Sequence, residues 1–204
     1  MDKLSKEYII SFFDKNLQLH GDRPEAVRWT KEGQYLHYKY LLDIGDINRK
    51  KILDFGCGKG DFYQFLRNMG IEVTYSGYDI NEKLISLAQK KFPEVDFRVF
   101  DIDTETIKED FDYIFLCGVF NLRVQGLENS IKDILKKLFG HCKIALAFNA
   151  LSSHNPIKDF ELNYVSPEDM FQFSVKNLSP YVSLRHDRML YDFTMFIYRD
   201  KNIG

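Results

Sequence analysis

The sequence predicts an α/β domain: a mostly parallel sheet, flanked by helices and closed by an antiparallel hairpin. Three observations predict it. From residue 50 onward, short apolar runs alternate with helical stretches, the pattern of successive βαβ units. The last two apolar runs, 181–188 and 190–200, lie too close together to hold a parallel crossover, so they must pair as a hairpin. The first run, KKILDF, empties into the turn GCGKG, at the place where an open α/β sheet meets its ligand.

Residues 1–45 read as a helical cap. EYIISFFDKNL (7–17) carries apolar residues at helical spacing, HGDRPEAV (20–27) is a turn with Pro24 placed to open a helix, and WTKEGQYLHYKYLLDIG (29–45) is a second helical stretch. The core then begins with KKILDF (50–55), a strand, and FYQFLRNMG (62–70), a helix stopped by Gly70. EVTYSGYDI (72–80) is the second strand, and EKLISLAQKKF (82–92) a helix closed by Pro93. VDFRVFDI (95–102) and FDYIFLCGVF (111–120) are the third and fourth strands, followed by the helix LENSIKDILKKLFG (127–140). CKIALAFNAL (142–151) is the fifth strand; a loop and the helix PEDMFQFSVKNL (167–178) precede the hairpin. Without repeats or a linker, the chain reads as one domain over 1–204, a cap at 1–45 and a core at 50–200.

Composition narrows the partners. A hydrophobic fraction of 45% over 204 residues suffices for a sizeable core. The 28 basic residues are scattered and outnumbered by 30 acidic ones, so no basic stripe offers itself to a phosphate backbone and nucleic acid is not the expected partner. The first residues, MDKLSKEYIISFFDKN, are charged throughout, unlike a signal peptide, and no run of 18 apolar residues exists to span a membrane. Cys57, Cys117 and Cys142 are far apart and lack metal-ligand spacing; they read as reduced thiols of a cytoplasmic protein, with no metal site.

The strand ends carry the chemistry. Gly56, Gly58 and Gly60 at alternate positions let the backbone turn sharply and approach a ligand without a Cβ in the way. A dinucleotide fold wants GxGxxG; here the spacing is GxGxG, the sixth position is Asp61, and Asp54 stands two residues before the first glycine. A carboxylate there repels a pyrophosphate but suits the ammonium of a methionine moiety. Asp79, roughly 20 residues beyond the glycines, is placed to accept both hydroxyls of a ribose. Asp101 ends the third strand, where it can accept from an adenine amino group, and Cys117-Gly118 end the fourth, beside the expected sulfonium. A single strand-end aspartate is more often a helix cap, but four successive strand ends bearing the required group are hard to obtain by accident.

LDFGCGKG, GYDIN, FRVFDID and FLCGVFN resemble motifs I to IV of the class I, Rossmann-like S-adenosylmethionine-dependent methyltransferases, in order and spacing. The resemblance covers residues 50–200. It implies a seven-stranded sheet of order 3-2-1-4-5-7-6 with strand 7 antiparallel, helices on both faces, and S-adenosyl-L-methionine as cofactor. Carried over residue by residue, it implies that Asp54, Gly56, Cys57 and Gly58 form the methionine-binding loop. Asp79 becomes the ribose ligand with Ile80 against one adenine face, Asp101 and Ile102 the adenine edge, and Cys117 and Gly118 the contact near the transferred methyl. Residues 29–41 resemble a helical segment that precedes motif I in a group of small bacterial methyltransferases, which adds Trp29, Gln34 and His37. That group tends to have arginine where His37 stands, and an arginine pairs with a carboxylate more reliably than histidine does.

The methyl acceptor is less legible. Methyl transfer is an in-line displacement in which the protein aligns the acceptor and excludes water; an alcohol acceptor also needs a general base in reach. Two segments fall on the cofactor side of such a sheet, 149–154 and 185–191. They offer His154 and His186 as candidate bases, and Asn149, Arg185, Arg188 and Tyr191, with Asn121, as acceptor contacts. The two arginines point to an acceptor bearing a carboxylate or phosphate, unless they pair with Asp187 and Asp192 instead. The chain lacks the [DNS]PP[YFW] signature of amino-methylating DNA enzymes and the Pro-Cys of cytosine-C5 enzymes. The expected function is therefore methyl transfer to an oxygen or nitrogen of a small polar, even anionic, metabolite beneath the helical cap. The alternatives are a binding module that keeps the fold, a methyltransferase for protein or nucleic acid, and a nicotinamide or flavin oxidoreductase.

Overall fold

In the computed structural model, which describes residues 1–200, the alternation forms seven strands. They are β1 (Lys51–Phe55), β2 (Thr74–Asp79), β3 (Asp96–Val99), β4 (Phe111–Leu116), β5 (Cys142–Leu151), β6 (Val182–Met189) and β7 (Asp192–Tyr198). Their order across one sheet is β3-β2-β1-β4-β5-β7-β6, as the motif resemblance implied. The pairs β1–β2, β1–β4, β2–β3 and β4–β5 are parallel, and β7 runs antiparallel to both β5 and β6. The terminal hairpin turns at Leu190 and Tyr191, the latter with a left-handed φ of 57°.

Two strands are shorter than the apolar runs that announce them. β4 stops at Leu116 although the run continues to Phe120, because Gly118 adopts a φ of 71° and turns the backbone away. β3 stops at Val99, leaving Phe100 to Ile102 as the connection that brings Asp101 to the sheet edge.

Six α-helices accompany the sheet among the described residues: α1 (Lys3–His20), α2 (Lys31–Leu41), α3 (Asp61–Asn68), α4 (Glu82–Lys91), α5 (Leu127–Gly140) and α6 (Pro167–Asn177). Strand side chains alternate between two apolar layers. Leu53 and Phe55 share a buried cluster with Leu135 and Leu138 of α5 and Met170 of α6. Ile52, one position over, joins Leu41 of α2, Phe62 and Leu66 of α3 and Ala88 of α4 on the other face. Each such leucine, isoleucine, phenylalanine or methionine side chain, taken fully from water, contributes roughly 1.5–3 kcal/mol. The outer helix α1 differs: of its 18 residues only Ser5 is buried, so it lies on the core as a cap. The expected helical cap is thus present, with a 3-10 turn at Pro24–Val27 between α1 and α2. The single-domain expectation extends over 1–204, of which 201–204 lie outside the described residues.

Gly77 in β2 shows how closely one of these layers lies on the sheet. A Cβ there would stand 2.6 Å from the Phe97 ring and 2.9 Å from Cys57 Sγ. Gly77→Ala should overpack this point and lower the unfolding free energy by about 1–3 kcal/mol. Urea denaturation followed by circular dichroism checks this; a midpoint equal to that of the parent chain would show that Phe97 yields freely.

Candidate functional site

The carboxyl ends of β1, β2 and β4 and the turn after β3 open into one cleft of about 1250 Å3, counting the space at its mouth. The turn after β1 is held against β2. The Tyr78 carbonyl accepts from the amides of Gly56 (2.7 Å) and Cys57 (3.2 Å), and Asp79 Oδ2 accepts from the Gly58 amide (2.8 Å). Gly56 needs its missing side chain twice over: its φ is 76°, and a Cβ would stand 2.5 Å from Val119 Cγ2. Asp79 Oδ1 accepts from the Asn81 amide at 2.8 Å. Burial pushes the Asp79 carboxyl up, against the pull of these backbone donors. Asp79, Ile80 and the glycine turn therefore form one wall of the cleft.

At the far end stand Asp101 and Ile102. Asp101 is engaged by α1: Lys6 Nζ donates to its two carboxylate oxygens at 2.8 and 2.7 Å and also reaches Asp103 at 2.8 Å. Burial raises the Asp101 carboxyl, but Lys6 and the Asp103 amide outweigh it and hold it below the ordinary value. Asn81 ties the same helix down, donating to the Ile10 carbonyl (3.2 Å) and Asp14 Oδ1 (2.9 Å) while capping α4. Ile9 and Phe13 of α1 face the cleft as its roof.

At the near end Cys117 and Gly118 meet Trp29, whose indole leaves no room for a side chain on Gly118; a Cβ there would lie 2.6 Å from Trp29 Cζ2. Ten of the predicted cofactor residues thus border one cleft: Gly56, Cys57, Gly58, Asp79, Ile80, Asp101, Ile102, Cys117, Gly118 and Trp29. Three do not. Asp54 points beneath the glycine turn, buried, and accepts the Tyr75 hydroxyl. Gln34 donates to Asp61 Oδ2 at 2.9 Å. His37 is 8% exposed. Its Nδ1 lies 2.7 Å from the Gly33 carbonyl, its Nε2 3.2 Å from Asp192 Oδ2, and its ring 4.5 Å from that of Trp29.

The predicted acceptor residues divide in the same way. Asn149 Oδ1 accepts from the Gly118 amide (2.8 Å), and Asn121 follows the Gly118 turn, so both lie directly behind the near end of the cleft. The hairpin residues do not reach it. Arg185 is paired with Asp187 through two bonds of 2.8 Å, and Arg188 with Asp43 at 2.9 Å. Tyr191 occupies the hairpin turn. His154 is exposed and bonded to Glu168 at 2.6 Å, with the exposed His186 ring 6.0 Å away. Arg185 is thus satisfied within its own edge strand and Arg188 by Asp43 of the N-terminal cap, and neither borders the cleft.

Two cleft residues escaped the sequence reading as cofactor contacts. Lys59, between the second and third glycines, is 2% exposed; its Nζ lies 2.7 Å from Asp61 and 3.2 Å from Asp22. Tyr38 lines the same cleft, and burial first, then the nearby Asp61, pushes its hydroxyl well above the ordinary tyrosine value. A lysine inside a glycine turn was the available signal. Among the described residues no group of three or more metal-ligating side chains forms, and no helix is long and apolar enough to cross a membrane.

Comparison with known proteins converges on one family. The methyltransferase domain family matches residues 52–143. The chain is 28% identical over 155 residues to Rv1506c of Mycobacterium tuberculosis, a protein named as a methyltransferase; the match covers 72% of this chain and 91% of that one. Among solved structures, the fold is shared with magnesium protoporphyrin IX methyltransferase ChlM from Synechocystis with bound S-adenosylmethionine. That match has a TM-score of 0.68 at 15% identity and covers 98% of each chain. The complex of DhpI with S-adenosylhomocysteine gives a TM-score of 0.71 at 13% identity, covering 96% of this chain and 97% of that one.

Asp54 makes a pH-dependent contribution to stability. Burial raises its carboxyl from 3.8 to about 7, against the pull of the Tyr75 hydroxyl. Between those values the folded chain keeps a proton that the unfolded chain has lost, so this group's contribution to stability falls as pH rises from 4 to 7 and levels off above. The full difference is on the order of 4 kcal/mol. Asp54→Asn keeps an acceptor for Tyr75 and removes the titration. The variant's stability relative to the parent should therefore increase between pH 4.5 and 7.5, by several kcal/mol in paired denaturant melts. A difference that does not change with pH would mean that Asp54 ionises normally.

Proposed function

We propose that this chain, which belongs to the class I S-adenosylmethionine-dependent methyltransferases, transfers a methyl group to an oxygen or nitrogen of a small molecule seated at the near end of the cleft. The chain is an enzyme of that family and S-adenosyl-L-methionine is its cofactor. The observation that carries the acceptor reading is the convergence of Trp29, Gly118 and the post-β4 turn beside Cys117 at one end of the cleft.

The residues present fit the cofactor. The Gly56 and Gly118 turns lie too close to Val119 and Trp29 to admit a Cβ, and the bare backbone they leave borders the cleft. Asp79 retains acceptor capacity on both oxygens, since each carboxylate oxygen offers two lone-pair sites and only one is used by the backbone. In this reading Asp79 holds the ribose hydroxyls, Ile80 and Ile102 flank the adenine, and Asp101 receives its amino edge while shared with Lys6. Lys59 and the Tyr38 hydroxyl, rather than His37, face the methionine carboxylate; Asp54 supports the turn from below. Bound there, the cofactor supplies a methyl group on a sulfonium. The chain's own part is to exclude water through α1 and Trp29 and to orient the acceptor at the end of β4.

The expectation of an anionic acceptor loses its main support, because Arg185 and Arg188 are already paired away from the cleft. The near end is walled instead by Trp29, Val119, Phe120 and Leu122, which suits an acceptor with an apolar body. The porphyrin-methylating enzyme that shares the fold is, by its name, one that acts on a small molecule. We place the protein in the cytoplasm, in keeping with its three free cysteines.

Trp29 is the chain's one tryptophan and lines the cleft, so its fluorescence reports occupancy directly. S-adenosylmethionine and S-adenosylhomocysteine should each shift it and give calorimetric binding, and NAD should do neither. Binding of NAD alone would overturn the reading. Asp79→Ala should cost at least roughly 2–4 kcal/mol of S-adenosylhomocysteine affinity, through loss of charge-assisted hydrogen bonds to the ribose together with the bond to the Gly58 amide that sets the turn, with secondary structure retained by circular dichroism. Affinity within twofold of the parent would remove Asp79 from the ribose site.

A further inference from the structure

Lys6 of α1 and Asp101 both line the cleft, and their pairing is more specific than a tie for the roof requires. The ammonium has three hydrogens, and each has an acceptor: Asp101 Oδ1 at 2.8 Å, Asp101 Oδ2 at 2.7 Å and Asp103 Oδ2 at 2.8 Å. Lys6 therefore keeps nothing to give a bound molecule directly. Asp101 does keep something, because each carboxylate oxygen offers two lone-pair sites. Its Oδ1 uses both, for Lys6 and for the Asp103 amide at 3.0 Å, whereas Oδ2 uses one, for Lys6. One acceptor site remains, on Oδ2.

The backbone of Asp101 is fixed without Lys6. Its amide donates to Glu105 Oε1 at 2.9 Å, and its carbonyl accepts from the amides of Thr104 (3.0 Å) and Glu105 (2.8 Å). The plane of the carboxylate is a separate matter, because the terminal torsion of an aspartate is broad. The Asp103 amide and Lys6 set it, and of these only Lys6 holds both oxygens. The other cations nearby go elsewhere. The Met1 amino group lies 3.0 Å from Asp103 Oδ2, and Lys137 Nζ lies 3.0 Å from the Ile102 carbonyl and 3.4 Å from Asp103 Oδ1. The pair is mostly shielded from water, with Lys6 15% and Asp101 24% exposed. Burial pushes the Asp101 carboxyl up and Asp103 adds to this, but Lys6 and the Asp103 amide hold it below its ordinary value. It is thus an anion whose orientation is set from the roof.

We propose that Lys6 is a positioning residue for the cofactor: by holding both oxygens of Asp101 it aims the one remaining acceptor site at the amino group of adenine, so that a side chain of the roof sets the specificity for the base. This rests on the methyltransferase reading and adds to it a residue that acts through Asp101 without touching the cofactor. The plainer role, in which Lys6 only ties α1 down, makes a different forecast: its loss would weaken every ligand beneath the roof alike.

The test titrates the full chain calorimetrically with S-adenosylhomocysteine and with its 6-deamino analogue, which carries purine in place of adenine. The parent should bind S-adenosylhomocysteine at least tenfold more tightly, since the analogue leaves a charged acceptor without its donor. In Lys6→Met this ratio should fall to within threefold, with S-adenosylhomocysteine weakened and the analogue little changed. Asp103 keeps its Met1 and Lys137 contacts in that variant, so circular dichroism should show the fold retained. Lys6→Arg keeps a forked cation for the carboxylate and should hold the ratio near the parent's. Lys83→Met releases α1 from Asp14, 2.6 Å away, without touching Asp101, and should leave the ratio unchanged. Four results would overturn the proposal and leave the enzyme class standing: a parent ratio within threefold, a Lys6→Met ratio equal to or above the parent's, loss of the ratio in Lys6→Arg as in Lys6→Met, or an equal loss in Lys83→Met. Failure of the parent chain to bind S-adenosylhomocysteine would bring down both together.

Discussion

The hydrogen bond from the Gly58 amide to the Asp79 carboxylate fixes the relation on which the site depends. Parallel pairing sets Phe55 opposite Tyr78, so the last residues of β1 and β2 leave the sheet side by side. The chain after β1 must turn at once to reach α3, and it does so through positive φ at Gly56, Gly58 and Gly60. Its amides, freed from the ladder, find the Tyr78 carbonyl and Asp79 instead of water. The same carboxylate accepts from Asn81, which caps α4. One acidic side chain therefore sets the turn, the strand end and the next helix, while presenting its remaining lone pairs to the cleft.

The cap is held differently from the core. The two apolar layers on the sheet bury Leu, Ile and Phe completely. By contrast, α1 is tied by Lys6 to Asp101 and Asp103, by Asn81 to its backbone and by Lys83 to Asp14. Partly exposed ion pairs of this kind contribute only about 0.2–1 kcal/mol each. Ile9 and Phe13 face a cleft rather than a packed interior, so the helix gains little from burial until something fills the space beneath it. An element with few buried apolar contacts belongs to the low end of local stability. The roof of the site is thus held more by polar ties than by burial, and Asp101, the residue it latches to, lines the far end of the same cleft.

The alternation of strands and helices, the hairpin and the motif positions were all legible in the sequence, because hydrophobic period and glycine spacing are local properties. The direction of single side chains was not. Asp54 lies between Leu53 and Phe55, which face α5, so strand parity alone turns its carboxyl toward the opposite layer, where Tyr75 waits. Arg185 and Asp187, two apart on an edge strand, lie on the same side and pair there. Parity alone accounts for both outcomes, and the Arg185–Asp187 pairing is the local alternative that the sequence itself offers. The partnership of His37 with Asp192 spans the chain from cap to last strand, and only the assembled sheet brings the two together.

The distribution of polar groups explains why such positions cluster. Asp54, Asp79 and Asp192 are all carboxyls that burial makes harder to ionise, and all three stand at the carboxyl edge of the sheet. So does the buried Lys59. Elsewhere the two layers are mainly apolar, with a few buried hydroxyls such as Ser174, which donates to Met195 Sδ. A chain selected for stability alone would have placed Leu or Ala at several of these points, since an apolar group of similar shape removes the cost of desolvation. Retaining them lowers stability at one edge only, where the opposite faces of the sheet can offset the loss through continuous apolar burial. The fold is least stable where its backbone and side chains keep unused hydrogen-bonding capacity, and that capacity is what a bound molecule meets.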